Sequence, residues 1–345
     1  MELKDFSYDL PHSLIAAEPA KERSDSRLMV VDRRSGCISH QTFSSLGSVL
    51  RCGDLLVLND TQVIPARLRG TKETGGTVEV LLVEPFPNFP ELWIALIHAS
   101  KKPAVGSRIK FSATVSAEVI GDMGKGRYGL KFRFPGEFFH VMSTCGETPL
   151  PPYIGRQRRL KSVDQERYQT VYAKYPGSIA APTAGLHFTR QMLEDLNSSG
   201  VESGFVTLHV GPGTFRPVHQ GDVAAHHMEG ERYRIDPITA EKVQRTKKSG
   251  GRVIAVGSTT TRTLEWVAQK EGTIVPGEGI ARLYIYPGYC FRVIDALLTN
   301  FHLPGSTPLI LVAAFAGVEL VRKAYEEAVR LEYRFYSYGD AMLIL

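Results

Sequence analysis

The chain has 345 residues, room for about two domains, and its 43% hydrophobic and 22% charged content suits a buried core and excludes a disordered chain. Its 41 basic against 36 acidic side chains leave a net charge of +5, which fits a polyanionic partner without requiring one. No apolar run approaches the roughly 20 residues of a membrane span, and MELKDFSYDLP lacks the basic-then-apolar order of a secretory signal, so a cytoplasmic protein without a membrane partner is expected.

The N-terminal sixty residues carry strand signals in LMVVDRR and DLLVLND, with an amphipathic stretch between them. From about Ala66 to Leu150 the texture changes to short strands and Gly turns. Val78, Val80 and Leu82 alternate along one such strand, and Leu130, Phe132 and Phe134 alternate with Lys131 and Arg133 along another. No helix is expected there, and a small antiparallel β-barrel closes such a sheet without open edges. After PLPPYIGR, capped helices appear. Thr189 caps a helix through MLEDL that stops near Gly200. Asp236-Pro237 starts another that stops at Gly250-Gly251, and TLEWVAQK ends at Gly272 after the buried strand GRVIAVG. Leu320, Ala324, Ala328 and Leu331 form the apolar stripe of a last helix. The expected fold is α/β: a discontinuous α/β domain made of residues 1–65 and 151–345, with an antiparallel β-barrel domain inserted at 66–150.

The cysteines Cys37, Cys52, Cys145 and Cys290 are scattered without a C-x-x-C pair, so they are expected as free thiols, mostly in the core.

Four loops place a histidine beside Gly, Pro or Thr: AAPTAGLHFT (180–189), TLHVGPGTFRPV (207–218), AHHMEGE (225–231) and TNFHLPGSTP (299–308). Any one of these histidines has a structural hydrogen bond as its plainest role; four together favour at least one that acts. Neither H-E-x-x-H nor H-x-H spacing occurs around His226, His227, Glu229 and Glu231, so no metal is expected. RVIAVGSTTTRTLE places Ser258, Thr259 and Thr260 at a helix start with Arg262 nearby. That pattern suits an anion, or plain N-capping by Ser258 or Thr259. Asp60, Asp295 and Asp340 sit beside apolar strands, where an acid caps a helix or serves as a base or ribose ligand. Arg67, Arg69 and Lys72, the pair Lys101-Lys102, and Arg156, Arg158, Arg159 and Lys161 form three basic bursts.

SRLMVVDRRSG, GDLLVLNDTQVIPARLRG, LPPYIGR, RYQTVYA, AAPTAGLHFT, TLHVGPGTFRPV, AVGSTTTRTLE, DALLTNFHLPGST and YRFYSYGDAML, running from end to end of the chain, resemble the S-adenosylmethionine:tRNA ribosyltransferase-isomerases of queuosine biosynthesis. The resemblance implies an α/β domain with an inserted β-barrel. It also implies S-adenosylmethionine as co-substrate without a metal, and as partner a tRNA anticodon stem-loop carrying 7-aminomethyl-7-deazaguanine. The ribosyl group would be transferred and isomerised to give epoxyqueuosine, with adenine and methionine released. Two positions depart from the family's usual pattern. Glu229 stands at the second motif histidine, and Ala281 replaces a threonine.

That reaction needs a general base near the ribose carbon beside the sulfonium, a donor for the methionine carboxylate and spread positive charge for RNA. By residue type, proton transfer is assigned to His187, His209 and His302, with Asp295 orienting or sharing them. Co-substrate binding is assigned to Ser258, Thr259, Thr260, Arg262 and Asp60. RNA binding falls to Arg67, Arg69, Lys101, Lys102, Arg156, Arg158 and Arg159, in a chain expected to work as a monomer. The rival classes are an S-adenosylmethionine-dependent methyltransferase, whose early Gly-rich loop is missing from LMVVDRRSG, and a non-catalytic RNA-binding module, which would not need the crowded histidine loops.

Overall fold

The computed structural model describes residues 1–86, 88–151, 153–154, 163–215, 221 and 223–345, except the side chains of 214 and 215. The chain divides into two compact units, one of residues 1–61, 152–175 and 181–345, the other of 62–151 and 176–180.

The larger unit is built on a nine-stranded mixed sheet. Its centre is four parallel strands in the order Glu202–Leu208, Leu55–Asn59, Val253–Val256 and Ala296–Asn300. Three of them are buried along their whole length, as expected of parallel strands covered on both faces. Ala341–Ile344 then runs antiparallel to Ala296–Asn300 and parallel to Arg27–Val31. Alternation sorts the side chains into two cores. Leu55 and Val57 join the cluster holding Phe301, Ile310 and Tyr325, while Leu56 and Leu58 join the one holding Phe43, Ala184 and Phe188.

The helices follow their caps. Thr189 Oγ1 accepts the Met192 amide at 3.1 Å to start Arg190–Ser198, and Asp236 accepts the Thr239 amide at 2.6 Å to start Pro237–Lys248. Ser258–Glu271 ends at Gly272, whose φ of 79° is a left-handed cap that a side chain would strain. In the last helix, Val318–Arg330, the fully buried stripe is Val321, Ala324, Tyr325 and Ala328, with Leu320 only partly buried. The apolar run TPLILVAAFA forms a further helix, Thr307–Ala316, capped by Ser306. Among the described residues no helix is long and apolar enough to cross a membrane.

In the smaller unit six antiparallel strands close into a barrel, because Arg67–Lys72 pairs with both Thr77–Phe86 and Arg108–Lys110. Gly70 permits the closure: a Cβ there would lie 2.8 Å from the Lys110 carbonyl oxygen and from Ile109 Cγ2. The expectation of no helix between 66 and 150 is corrected by Phe138–Cys145. Phe138, Val141 and Met142 fall on one helical face and complete the barrel core, where the Phe138 ring stacks on Trp93 at 5.1 Å. The cysteines are a second correction: Cys37, Cys52 and Cys290 are exposed and only Cys145 is partly buried, all as free thiols.

Candidate functional site

Parallel strands put their carboxyl ends on one edge of a sheet, where α/β folds open a crevice for ligands. Here that edge collects Asn59-Asp60, His209, Gly257-Ser258-Thr259 and Thr299 to His302, each directly following or ending one of the four central strands.

Asn59, absent from the sequence assignments, ties the edge together. Its Oδ1 accepts the Leu208 amide at 3.0 Å, and its Nδ2 donates to the Leu208 carbonyl at 3.0 Å and to Thr259 Oγ1 at 3.1 Å. The strand end before His209 is thereby fixed to the helix start at 258. Asp60 accepts from Thr207 Oγ1 at 2.6 Å, and burial raises its pKa.

At the helix start, Gly257 takes a φ of 89° and no side chain caps the first turn. The capping reading of Ser258 or Thr259 is therefore set aside, and the first amides stay available to a ligand. Ser258 and Thr259 line a cleft of about 320 Å³ together with Arg262, Tyr284, Thr307 and Met228. Thr260 does not reach it: it is fully buried and its Oγ1 donates to the Val256 carbonyl at 2.8 Å.

Arg262 is buried, and two of its three nitrogens are engaged. Nε donates to the Leu283 carbonyl at 3.0 Å, Nη1 pairs with Glu231 Oε2, and Nη2 is buried with no partner among the described residues. Glu231 is held in turn by the Gly211 amide at 3.0 Å on Oε1. The sequence pointed to Arg262 through its spacing from the helix start. Glu231 appeared only as a discounted metal ligand, because nothing local links positions 231 and 262. Among the described residues no group of three or more His, Cys, Asp or Glu is arranged to hold a metal.

The three assigned histidines differ sharply. His209 Nδ1 lies 2.8 Å from Thr61 Oγ1, and among the described residues no hydrogen bond engages Nε2. Burial, with Arg232 adding to it, pushes its pKa down to about 4. His302 Nε2 lies 2.7 Å from Thr299 Oγ1, its amide donates to Tyr325 Oη at 3.1 Å, and burial lowers its pKa to about 3. His187 is engaged at both ring nitrogens. The Asn300 amide nitrogen is 3.2 Å from both the Tyr336 carbonyl and His187 Nε2, so Nε2 accepts and Nδ1 donates to Ser26 Oγ at 2.7 Å. With burial and the charges of Arg23 and Arg334, its pKa falls to about 3.

Asp295 is a correction. It precedes the strand Ala296–Asn300 and so lies at the opposite edge of the sheet, about 16 Å from Asn300 along five residues of strand. There it pairs with Lys247 at 2.9 Å and accepts the Val253 amide at 2.9 Å. It cannot orient any of the three histidines.

In the barrel unit, Arg67 lies 3.6 Å from Glu79 and Arg69 lies 3.6 Å from Glu147, so two of the expected RNA cations are matched locally by acids. Lys101 and Lys102 are exposed. Arg156, Arg158 and Arg159 lie outside the described residues.

A family model described as a queuosine biosynthesis protein matches residues 3–344. A relative from Carboxydothermus hydrogenoformans named S-adenosylmethionine:tRNA ribosyltransferase-isomerase is 52% identical over 346 residues, with 100% of both chains covered. One of the same name from Pelobacter propionicus is 51% identical, again with 100% of both covered. A solved structure, an S-adenosylmethionine tRNA ribosyltransferase from Thermotoga maritima, matches with a TM-score of 0.56 at 37% identity, covering 99% of this chain and 100% of that one. With an α/β sheet edge shaped for a ligand, an inserted barrel and relatives matched end to end, this chain belongs to the S-adenosylmethionine:tRNA ribosyltransferase-isomerases of queuosine biosynthesis.

Proposed function

We propose that the carboxyl edge of the central sheet binds S-adenosylmethionine and moves its ribosyl group onto the aminomethyl nitrogen of a 7-deazaguanine at the tRNA wobble position. The observation that carries this reading is Arg262 Nη2, a buried donor without a partner, in a cleft that also holds the uncapped start of Ser258–Glu271. A carboxylate there would satisfy both the guanidinium and the helix amides. The co-substrate's amino-acid tail therefore enters beside Ser258 and Thr259. Tyr284, in the same cleft, offers an aromatic face to the sulfonium.

Proton transfer falls to His209. It borders the same edge through the Asn59 bridge to Thr259, and its Nε2 has no hydrogen bond among the described residues. When Nδ1 carries the proton and donates to Thr61, Nε2 presents a lone pair. Its depressed pKa keeps it neutral at pH 7, so the base form is always present. Asp60, whose pKa burial raises, holds a ribose hydroxyl. His302 shapes the floor of the edge, and His187 acts through hydrogen bonds to Ser26 and Asn300. Lys101 and Lys102, with the basic burst at 156–161, supply charge for the anticodon stem-loop. The enzyme works as a monomer, in the cytoplasm where tRNA is modified.

Mass spectrometry of tRNA carrying the aminomethyl-deazaguanine, incubated with S-adenosylmethionine, tests the reaction, and adenine and methionine release confirms its stoichiometry. Arg262→Gln is expected to raise the KM for S-adenosylmethionine about 10- to 100-fold, the value of one or two charge-assisted hydrogen bonds. Methyl transfer, or an unchanged KM in Arg262→Gln, overturns the reading.

A further inference from the structure

A second cleft in the larger unit, of about 290 Å³, is lined by Pro19, Arg23, Ser26, Arg167, His187 and Tyr338. Its charge is unusual. Arg23 donates to the carbonyls of Leu186 at 3.1 Å and Glu166 at 3.0 Å, and Arg167 donates to those of Lys21 at 2.9 Å and Ala20 at 2.7 Å. Arg334 donates to the Glu18 carbonyl. Backbone oxygens thus fix all three guanidinium groups, and among the described residues no carboxylate hydrogen-bonds to any of the three side chains. Arg167 Nε is buried without a partner among the described residues.

The cations feel one another. Burial and then Arg167 lower the pKa of Arg23, and burial followed by Arg23 and Arg334 lowers that of His187. The acids nearby are committed or remote. Asp340 holds Arg27 and the Arg334 amide, Asp164 accepts the Tyr338 hydroxyl at 3.2 Å, and the carboxylate of exposed Glu166 acts on Arg23 only through its field. Holding like charges together in a half-buried cleft is unfavourable until an anion arrives. Arginine's planar fork suits a phosphate, which accepts several donors at once.

We infer that this cleft binds a backbone phosphate of the RNA substrate, with Arg167 Nε and the Arg23 guanidinium as its donors. Its position supports RNA over a free anion. His187 joins the cleft to Asn300, the last residue of a central strand. A phosphate seated there places its nucleotide on the edge where Arg262 and His209 lie. The inference rests on RNA being the substrate, but not on the assignment of the methionine tail to Arg262.

The test uses the full-length protein and a synthetic anticodon stem-loop, with affinity measured by fluorescence anisotropy across a salt series. Arg167→Gln is expected to weaken binding roughly tenfold and to flatten the slope of log K against log salt by about 0.7–0.9, the signature of one lost phosphate contact. Arg167→Lys, which keeps the charge, should retain most of that slope. The KM for S-adenosylmethionine should not change. Methylphosphonates placed singly through the loop then identify the phosphate. At one position neutralisation should weaken the wild type as much as Arg167→Gln does, and should cost that variant nothing further. This non-additivity does not arise from a merely structural role. An unchanged salt slope, or equal losses in wild type and variant at every position, overturns the inference. So does a rise confined to the KM for S-adenosylmethionine, which would make the cleft a carboxylate site.

Discussion

Glu231 and Arg262, thirty-one positions apart, form a buried ion pair that also reaches the loop after the strand Glu202–Leu208 through the Gly211 amide. With Nε and Nη1 occupied, only Nη2 is left for a ligand, so Glu231 aims the arginine as well as neutralising it. Removing one partner leaves an uncompensated buried charge, which typically costs about 3–5 kcal/mol. Arg262→Met is therefore expected to lower stability by that order, and Glu231→Gln/Arg262→Met to recover most of it. Neither should recover affinity for S-adenosylmethionine. Chemical denaturation beside steady-state kinetics checks both halves, and a double variant with restored KM would remove the role given to Arg262.

Replacing His209 by alanine should reduce kcat about 10²- to 10⁴-fold, the usual contribution of a general base. Since its pKa is depressed to about 4, the acid limb of kcat/KM belongs near pH 4, with no inflection from this group near 6.5. A wild-type profile with a 6.5 limb that vanishes in His209→Asn would show an ordinary, solvated imidazole instead.

Asp295→Asn should leave single-turnover rates within about twofold of wild type, because surface ion pairs contribute little and this one lies at the far edge of the sheet. A loss of more than tenfold in rate, with the fold intact by circular dichroism, would restore the acid to the chemistry.

Stability should fall in mild acid. His187 and His302 hold folded pKa values of about 3, and His209 about 4, whereas the unfolded chain protonates its histidines near 6.5. Between these values the unfolded state binds more protons, so stability rises with pH there. It is fully present above about pH 6.5 and is lost as the pH drops toward 4, by up to about 1.4 kcal/mol per pH unit for each fully buried histidine. Melting temperatures measured from pH 7 to 5 should drop steeply, and His302→Asn should soften the drop by one proton's worth. A flat profile would mean that these rings are protonated in the folded state.

Much of the architecture was legible because its causes are local. Thr189 and Asp236 cap helices through atoms three residues away, and strand alternation in residues 66–134 reports one wet and one dry face. The helix Phe138–Cys145 was missed because its stripe is short and lies in a stretch dominated by strands. The cysteines were misplaced because a thiol is small enough to be tolerated inside or outside, so its identity carries little positional information.

The candidate site divides along the same line. Residue type and spacing alone picked out the histidine loops, the Ser258 helix start and Arg262, and the end-to-end motifs indicated the family. Only the tertiary structure separated the three histidines, by engaging both nitrogens of His187 and leaving His209 Nε2 without a hydrogen bond among the described residues. Only it moved Asp295 to the wrong edge, since a strand's direction in the sheet decides which end faces a ligand. It alone revealed Asn59, Glu231 and the Arg23–Arg167 cleft, because hydrogen bonds and charge fields act through space between residues that the chain separates by tens of positions.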